Sequence, residues 1–153
     1  MSITTLKAGD KAPDFKAKNQ HGKTVSLADF KGEKLVLYFY PKDMTPGCTT
    51  QACGLRDNYA YLQKQGYEIL GVSPDNEKSH KKFIDKYKLP FDLLVDEDKQ
   101  IMQAYEVWGE KKFMGKVYDG VHRTTFKIDE KGVIEEVIKV KTTKAHLAWI
   151  EQQ

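Results

Sequence analysis

Six consecutive apolar residues, Leu35-Val36-Leu37-Tyr38-Phe39-Tyr40, stop at Pro41 and constrain the fold more than any other stretch of the chain. A run this short, rich in β-branched and aromatic side chains, reads as a strand buried on both faces. Such strands occur where helices cover both sides of a largely parallel sheet. The next stretch of chain suits that frame. Past the turn formers of residues 41–47, Cys48, Ala52, Leu55, Tyr59 and Leu62 recur at spacings of four and three, as on one buried helix face. Gly66 ends that pattern. Residues 67–72 read as a second core strand, 77–87 as a helix stopped before Pro90, and 91–95 as a third strand.

The flanks are built from shorter signals. His21-Gly22 lies between two alternating stretches and predicts a hairpin turn, and Ser26 with Asp29 forms a capping box over a short helix ending at Phe30. A short helix is expected around residues 101–105. Residues 106–120 have no clean period and read as loop. Residues 121–128 and 133–140 flank Asp129-Glu130-Lys131-Gly132, a hairpin signal, and a last helix is expected from about residue 144 to the end. The expected fold is therefore α/β: a thioredoxin-like arrangement with a central mixed sheet flanked by helices and an N-terminal β-hairpin extension. Pattern alone does not fix the topology.

A length of 153 residues suits one domain, residues 1–153, with a core large enough to need no staples. Lys and Arg number 25 against 22 acids, a net charge of +3, and no basic run is long, which argues against a nucleic-acid partner. No apolar stretch approaches the ~20 residues of a membrane crossing. The first thirteen residues lack the apolar core of a secretory signal, so a cytoplasmic location is expected. Two cysteines are too few for a disulfide scaffold or a four-thiolate zinc site, and the four histidines show no ligand spacing. Attention therefore falls on Cys48 and Cys53.

Pro41-Lys42-Asp43-Met44-Thr45-Pro46-Gly47-Cys48 places a cysteine after a strand, through a tight turn, in the first turn of a helix. Helix starts present unpaired N–H groups and a partial positive charge, and both favour a thiolate. Thr45 stands where its hydroxyl could meet the same sulfur, and two prolines stiffen the loop. The same residues also suit a buried helix-start cysteine with Thr45 as a plain N-cap.

Pro41, Thr45 and Cys48 complete the Pro-x-x-x-Thr-x-x-Cys motif, and the chain resembles the peroxiredoxins. Gly9-Asp10-Lys11-Ala12-Pro13-Asp14-Phe15 is similar to their N-terminal signature, and Gly120-Val121-His122-Arg123-Thr124-Thr125-Phe126 to the late strand bearing their active-site arginine. A second cysteine five residues after the first resembles the bacterioferritin comigratory protein, or Q, subfamily. The resemblance implies a thiol peroxidase acting on hydrogen peroxide and organic hydroperoxides without metal, haem or flavin. It implies that Cys48 attacks the peroxide and becomes a sulfenic acid. Thr45 would then hydrogen-bond sulfur and peroxide, Pro41 shield the site, and Arg123 stabilise negative charge. A thioredoxin-type reductant and a monomer are implied too. Many relatives carry Glu three residues after that cysteine. Gln51 stands there instead and can still accept a hydrogen bond, but without charge.

Without the resemblance, Arg123 is an ordinary charge on a polar strand face shared with Thr125 and Lys127. Cys53 is constrained by geometry. Five helical residues separate two Cα atoms by roughly 8.7 Å, beyond the reach of a disulfide at about 4.4–6.8 Å. Either Cys53 is a bystander or the helix opens. The resemblance implies opening, with Cys53 as resolving cysteine in the same chain. Two other classes remain: a thioredoxin-like dithiol oxidoreductase, whose Cys-x-x-Cys spacing the chain lacks, and a non-catalytic binding module with inert cysteines.

Overall fold

The computed structural model describes residues 4–140. A small antiparallel hairpin, β1 (Lys16–Lys18) and β2 (Thr24–Ser26), precedes a one-turn 3-10 helix at Leu27–Phe30. The capping box is present there: the Ser26 N–H donates to Asp29 Oδ2 at 2.9 Å. Strand β3 (Lys34–Phe39) leads into α1 (Pro46–Asp57) and α2 (Tyr59–Lys64). Then come β4 (Tyr67–Ser73), α3 (Glu77–Tyr87), β5 (Asp92–Val95) and α4 (Gln100–Ala104). The described chain ends with β6 (Trp108–Phe113), β7 (Lys116–Val121), β8 (Thr124–Ile128) and β9 (Ile134–Lys139).

The central sheet runs β5-β4-β3-β8-β9, with β3 parallel to β4 and β4 to β5, and with β8 antiparallel to both β3 and β9. It is the mixed, helix-flanked sheet expected, and β1–β2 is the expected hairpin extension. Alternation along β3 divides the interior in two. Leu35, Leu37 and Phe39 pack with Phe15, Val25, Ile101, Met102, Tyr105 and Phe126. Val36, Tyr38 and Tyr40 pack with Cys48, Ala52, Leu55, Leu62, Phe83 and Phe91. Helices α1 to α3 thus cover one face, while α4 and the N-terminal hairpin cover the other.

Three expectations need correction, and a fourth falls beyond the described chain. The helix read across residues 48–66 breaks at Asn58, whose side-chain Nδ2 donates to the Gly54 carbonyl at 2.9 Å. Residues 106–120 are not loop but largely the hairpin β6–β7, paired from Trp108↔Val121 to Phe113↔Lys116. Residues 121–128 are not one strand: Val121 closes that hairpin, and β8 begins at Thr124. The helix expected from residue 144 lies outside the described residues.

Gly71 on β4 marks a close approach beneath the α1 face. A Cβ there would lie 2.6 Å from Leu93 Cδ2 and 2.9 Å from the Tyr38 hydroxyl. Overpacking of this kind costs about 1–3 kcal/mol. Gly71→Ala should lower stability by about that amount in chemical denaturation, through strain on the Tyr38 ring that backs Cys48.

Candidate active site

The site is assembled where β3 ends. Tyr40 completes the buried run, Pro41 turns the chain, and Met44 takes a left-handed backbone with φ +67. Thr45 is the N-cap of α1 in an extended conformation, and its carbonyl accepts the Thr49 N–H at 2.9 Å. Pro46 fills the first helical position, where the missing N–H has no partner to lose. Cys48 therefore lies in the first turn, as the sequence predicts. Its side chain is 1% exposed and packs in the cluster of Tyr38, Tyr40, Ala52 and Leu55.

Arg123 reaches this sulfur from the entry to β8, which the antiparallel register sets beside the end of β3. Its Nη2 donates to Cys48 Sγ at 3.2 Å, and its Nη1 donates to Gln51 Oε1 at 3.2 Å. Gln51 is fully buried one turn beyond Cys48, so its amide does the accepting that a carboxylate could do, and the guanidinium is aimed at the thiol by a fixed neutral group. Arg123 lies in the two-residue link between β7 and β8, and its carbonyl accepts the Val140 N–H at 3.0 Å. Its face is nonetheless the one that alternation gives: Thr125 and Lys127 pair with Tyr38 and Val36 of β3, on the α1 side. Lys127 lies apart from the site, 5.2 Å from the Tyr67 ring centre. The contact with Cys48 sets aside the ordinary reading of Arg123 as a polar surface charge.

Thr45 differs from expectation in its partner. Its hydroxyl donates to the Lys42 carbonyl at 2.9 Å, because the left-handed turn at Met44 brings that carbonyl within reach. This leaves lone pairs on the hydroxyl oxygen to accept, rather than a hydrogen to give. Pro41 is half-buried at the base of the loop. Cys53 is half-buried further along α1, and both thiols are free. The helix is continuous between them, so the geometric bar to a disulfide applies as the sequence predicts.

Sequence reasoning missed two groups. Lys111 of β6 sends its Nζ to the Val121 carbonyl at 2.8 Å, and burial first, then the Arg123 charge, lowers its pKa. Asp43 and His80 are buried together beside the loop. The only sequence signal for His80 was its place on α3 three residues before the buried Phe83.

A buried thiol at a helix start, faced by a guanidinium, is equipped to act as a stabilised nucleophile. The model of the AhpC/TSA family matches residues 8–137. The chain is a peroxiredoxin of the AhpC/TSA family. It is 51% identical over 154 residues to Peroxiredoxin Bcp of Escherichia coli K12, covering 98% of this chain and 99% of that protein. It is also 51% identical over 145 residues to Peroxiredoxin Bcp of Bacillus subtilis, covering 94% and 92%. Among solved structures, Xanthomonas campestris Peroxiredoxin Q superposes with a TM-score of 0.83 at 35% identity, covering 95% of this chain and 98% of that one. A mutant of Xylella fastidiosa PrxQ gives 0.88 at 28% identity, covering 97% and 96%. In this peroxiredoxin, as in its relatives, the activity is that of a peroxidase.

The forked contact of Arg123 gives a direct test. Arg123→Ala should slow oxidation of the reduced protein by peroxide about 10²–10³-fold, measured by competition kinetics. Arg123→Lys should recover only part of this, because an ammonium cannot span sulfur and amide as the planar fork does.

Proposed function

We propose that this peroxiredoxin reduces hydrogen peroxide and organic hydroperoxides through Cys48, with Cys53 as its resolving cysteine and a thioredoxin-type dithiol as its reductant. The observation that carries the reading is the Arg123 guanidinium bridging Cys48 Sγ and Gln51 Oε1. It puts a fixed positive charge where a thiolate must be stabilised and where oxygen acquires negative charge as the O–O bond breaks. The Xanthomonas campestris bacterioferritin comigratory protein, 35% identical with a TM-score of 0.83, has an alkyl peroxide reduction activity, which supports organic hydroperoxides as substrates here.

The thiolate of Cys48 attacks the terminal peroxide oxygen. The O–O bond breaks, the other oxygen leaves with the electron pair and takes a proton as water or alcohol, and Cys48 becomes a sulfenic acid. Arg123 stabilises both sulfur and leaving oxygen, and the free N–H groups of the first turn of α1 add to it. Thr45 accepts from the peroxide O–H, and Pro41 keeps bulk water from the loop. The Cys53 thiol then attacks the sulfenic sulfur, releasing water and forming a disulfide. Two electrons from the external dithiol return both cysteines to thiols. A single-domain monomer suffices, since both cysteines lie in one helix of one chain.

Resolution requires α1 to open, because an intact helix keeps the two Cα atoms about 8.7 Å apart. Gly47 in the first turn and Gly54 in the interior both lower the cost, Gly54 by about 1 kcal/mol against Ala. Once the sulfur carries oxygen it no longer fits a pocket in which it was 1% exposed.

Cys48→Ser should abolish peroxide consumption in the presence of thioredoxin, thioredoxin reductase and NADPH while preserving the fold. Residual activity above a few per cent of wild type would overturn the assignment.

Cys53→Ser should still consume one equivalent of peroxide but fail to turn over. A non-reduced digest of the oxidised wild type should contain the Cys48–Cys53 cross-link, with faster amide exchange in the first turns of α1. Interchain disulfides alone, or full turnover by Cys53→Ser, would assign resolution to another thiol.

A further inference from the structure

Asp43 and His80 are a buried pair that the peroxide chemistry of Cys48 and Cys53 leaves unused. Asp43 is 4% exposed and His80 is 0% exposed. His80 Nδ1 lies 2.7 Å from Asp43 Oδ2, and Nε2 lies 2.8 Å from the Leu94 carbonyl of β5. A carbonyl oxygen only accepts, so Nε2 donates there and the ring cannot swing away from Asp43. The Tyr40 hydroxyl donates to Asp43 Oδ1 at 2.6 Å, and the Ser79 hydroxyl donates to Oδ2 at 2.8 Å. Burial above all, then the neighbouring Tyr38 and Asp43, raises the Tyr40 pKa well above its ordinary value, which keeps that hydroxyl a donor. The Asp43 N–H donates to Asp75 Oδ2 at 2.7 Å, and the Ser73 hydroxyl donates to the same oxygen at 2.7 Å.

Asp43 is thus tied to the end of β3, the β4–α3 turn, α3 itself and, through His80, β5. Asp43, Asp75 and His80 bring potential metal ligands within 4.8 Å of one another. Both carboxylate oxygens of Asp43, both ring nitrogens of His80 and Asp75 Oδ2, however, are engaged with each other or with Tyr40, Ser73, Ser79, Leu94 and the Asp43 N–H, so the cluster reads as a clamp.

The clamp sits at a strained place. Met44, next in the chain, holds φ +67 without being glycine, a conformation that costs of order 1–3 kcal/mol and persists only where the surroundings over-determine it. The Met44 side chain is 39% exposed, so its own packing is a weak support. The fixed point beside it is Asp43. Two residues beyond Asp43, Thr45 caps α1 and sets the first turn that carries Cys48.

We propose that Asp43 and His80 are positioning residues for the peroxide step, holding loop 41–45 so that Thr45 and the first turn of α1 face the Cys48 sulfur. The proposal rests on the peroxidase role given above to Cys48. Among the described residues, the hydrogen bonds of the clamp run to β3, β4, α3 and β5 and not to α1, so the clamp stays closed while that helix unwinds. Positioning and resolution are therefore separable.

The test uses the full-length reduced protein, hydrogen peroxide, and quenched-flow mass spectrometry that follows Cys48 oxidation and disulfide formation separately. His80→Leu should lower the oxidation rate about tenfold, since a misplacement of ~1 Å can cost up to a hundredfold. The double variant Asp43→Ala/His80→Leu removes both members of the pair, so neither is left buried without the other. Although the Tyr40 hydroxyl and the Leu94 carbonyl each lose a partner, its melting temperature should recover in part relative to the single variant. Its oxidation rate should stay low all the same, with disulfide formation unchanged. A wild-type oxidation rate in the double variant, or equal slowing of both steps, would overturn the proposal by reducing the pair to a stability element. Should neither variant fold, Asp43→Asn keeps the shape but satisfies fewer of the donors. It should show the same selective slowing to a smaller degree, and a wild-type rate there would overturn the proposal. Failure of the wild-type protein to oxidise Cys48 would instead overturn the peroxidase reading, and this proposal with it.

Discussion

Strand β3 is the constraint on which everything else hangs. Its backbone is hydrogen-bonded on both edges, to β4 in parallel and to β8 in antiparallel, so its side chains have only two directions to take. One set fills the interior beneath α4 and the N-terminal hairpin, and the other fills the interior beneath α1 to α3. The same pairing brings the entry to β8 alongside the exit from β3. That adjacency lets Arg123 touch a sulfur 75 positions earlier in the chain. Burial of hydrocarbon and placement of a charge are consequences of a single register.

Cys48 is supported from two independent sides. Arg123 approaches it from the entry to β8, and Gln51, one turn along the same helix, holds the guanidinium without cancelling its charge. A carboxylate at residue 51 would grip the arginine harder, yet would also compete with a thiolate for the same positive field. The neutral amide trades strength of hold for undivided attraction. On the other side, Asp43 fastens the loop ahead of Thr45 to the β4–α3 turn, to α3 and, through His80, to β5.

Much of this was legible in the sequence, and the misses have physical causes. The buried strands and α3 could be read because both faces of a core strand, or one face of a helix, impose a period. Hairpin β6–β7 escaped because it stands off the central sheet. Residues 116–119 are exposed, so no alternation is enforced. Its turn is also unmarked: Met114 and Gly115 both take positive φ, and Met is not a residue that announces such a turn. The motif residues were legible individually, and so was the capacity of Gln51 to accept a hydrogen bond. The partner of the Thr45 hydroxyl was not, because it depends on the left-handed backbone of its neighbour. Nor was the joining of Asp43 to His80, since 37 residues separate them and only the parallel β3–β4–β5 order brings them together.

The break between α1 and α2 gives the protein a cooperative boundary. Asn58 ends one helix with both its backbone N–H and its side chain on the Gly54 carbonyl, and it begins the next by accepting the Leu62 N–H. A helix running unbroken to Lys64 would transmit any fraying of its first turn along its whole length, because each lost hydrogen bond weakens its neighbour. Here α2 has its own anchor in Leu62 and its own contacts with β4, so melting that starts at Cys48 has a terminus built into the chain. A loosening confined to α1 would leave the remainder in the shape to which that helix must return.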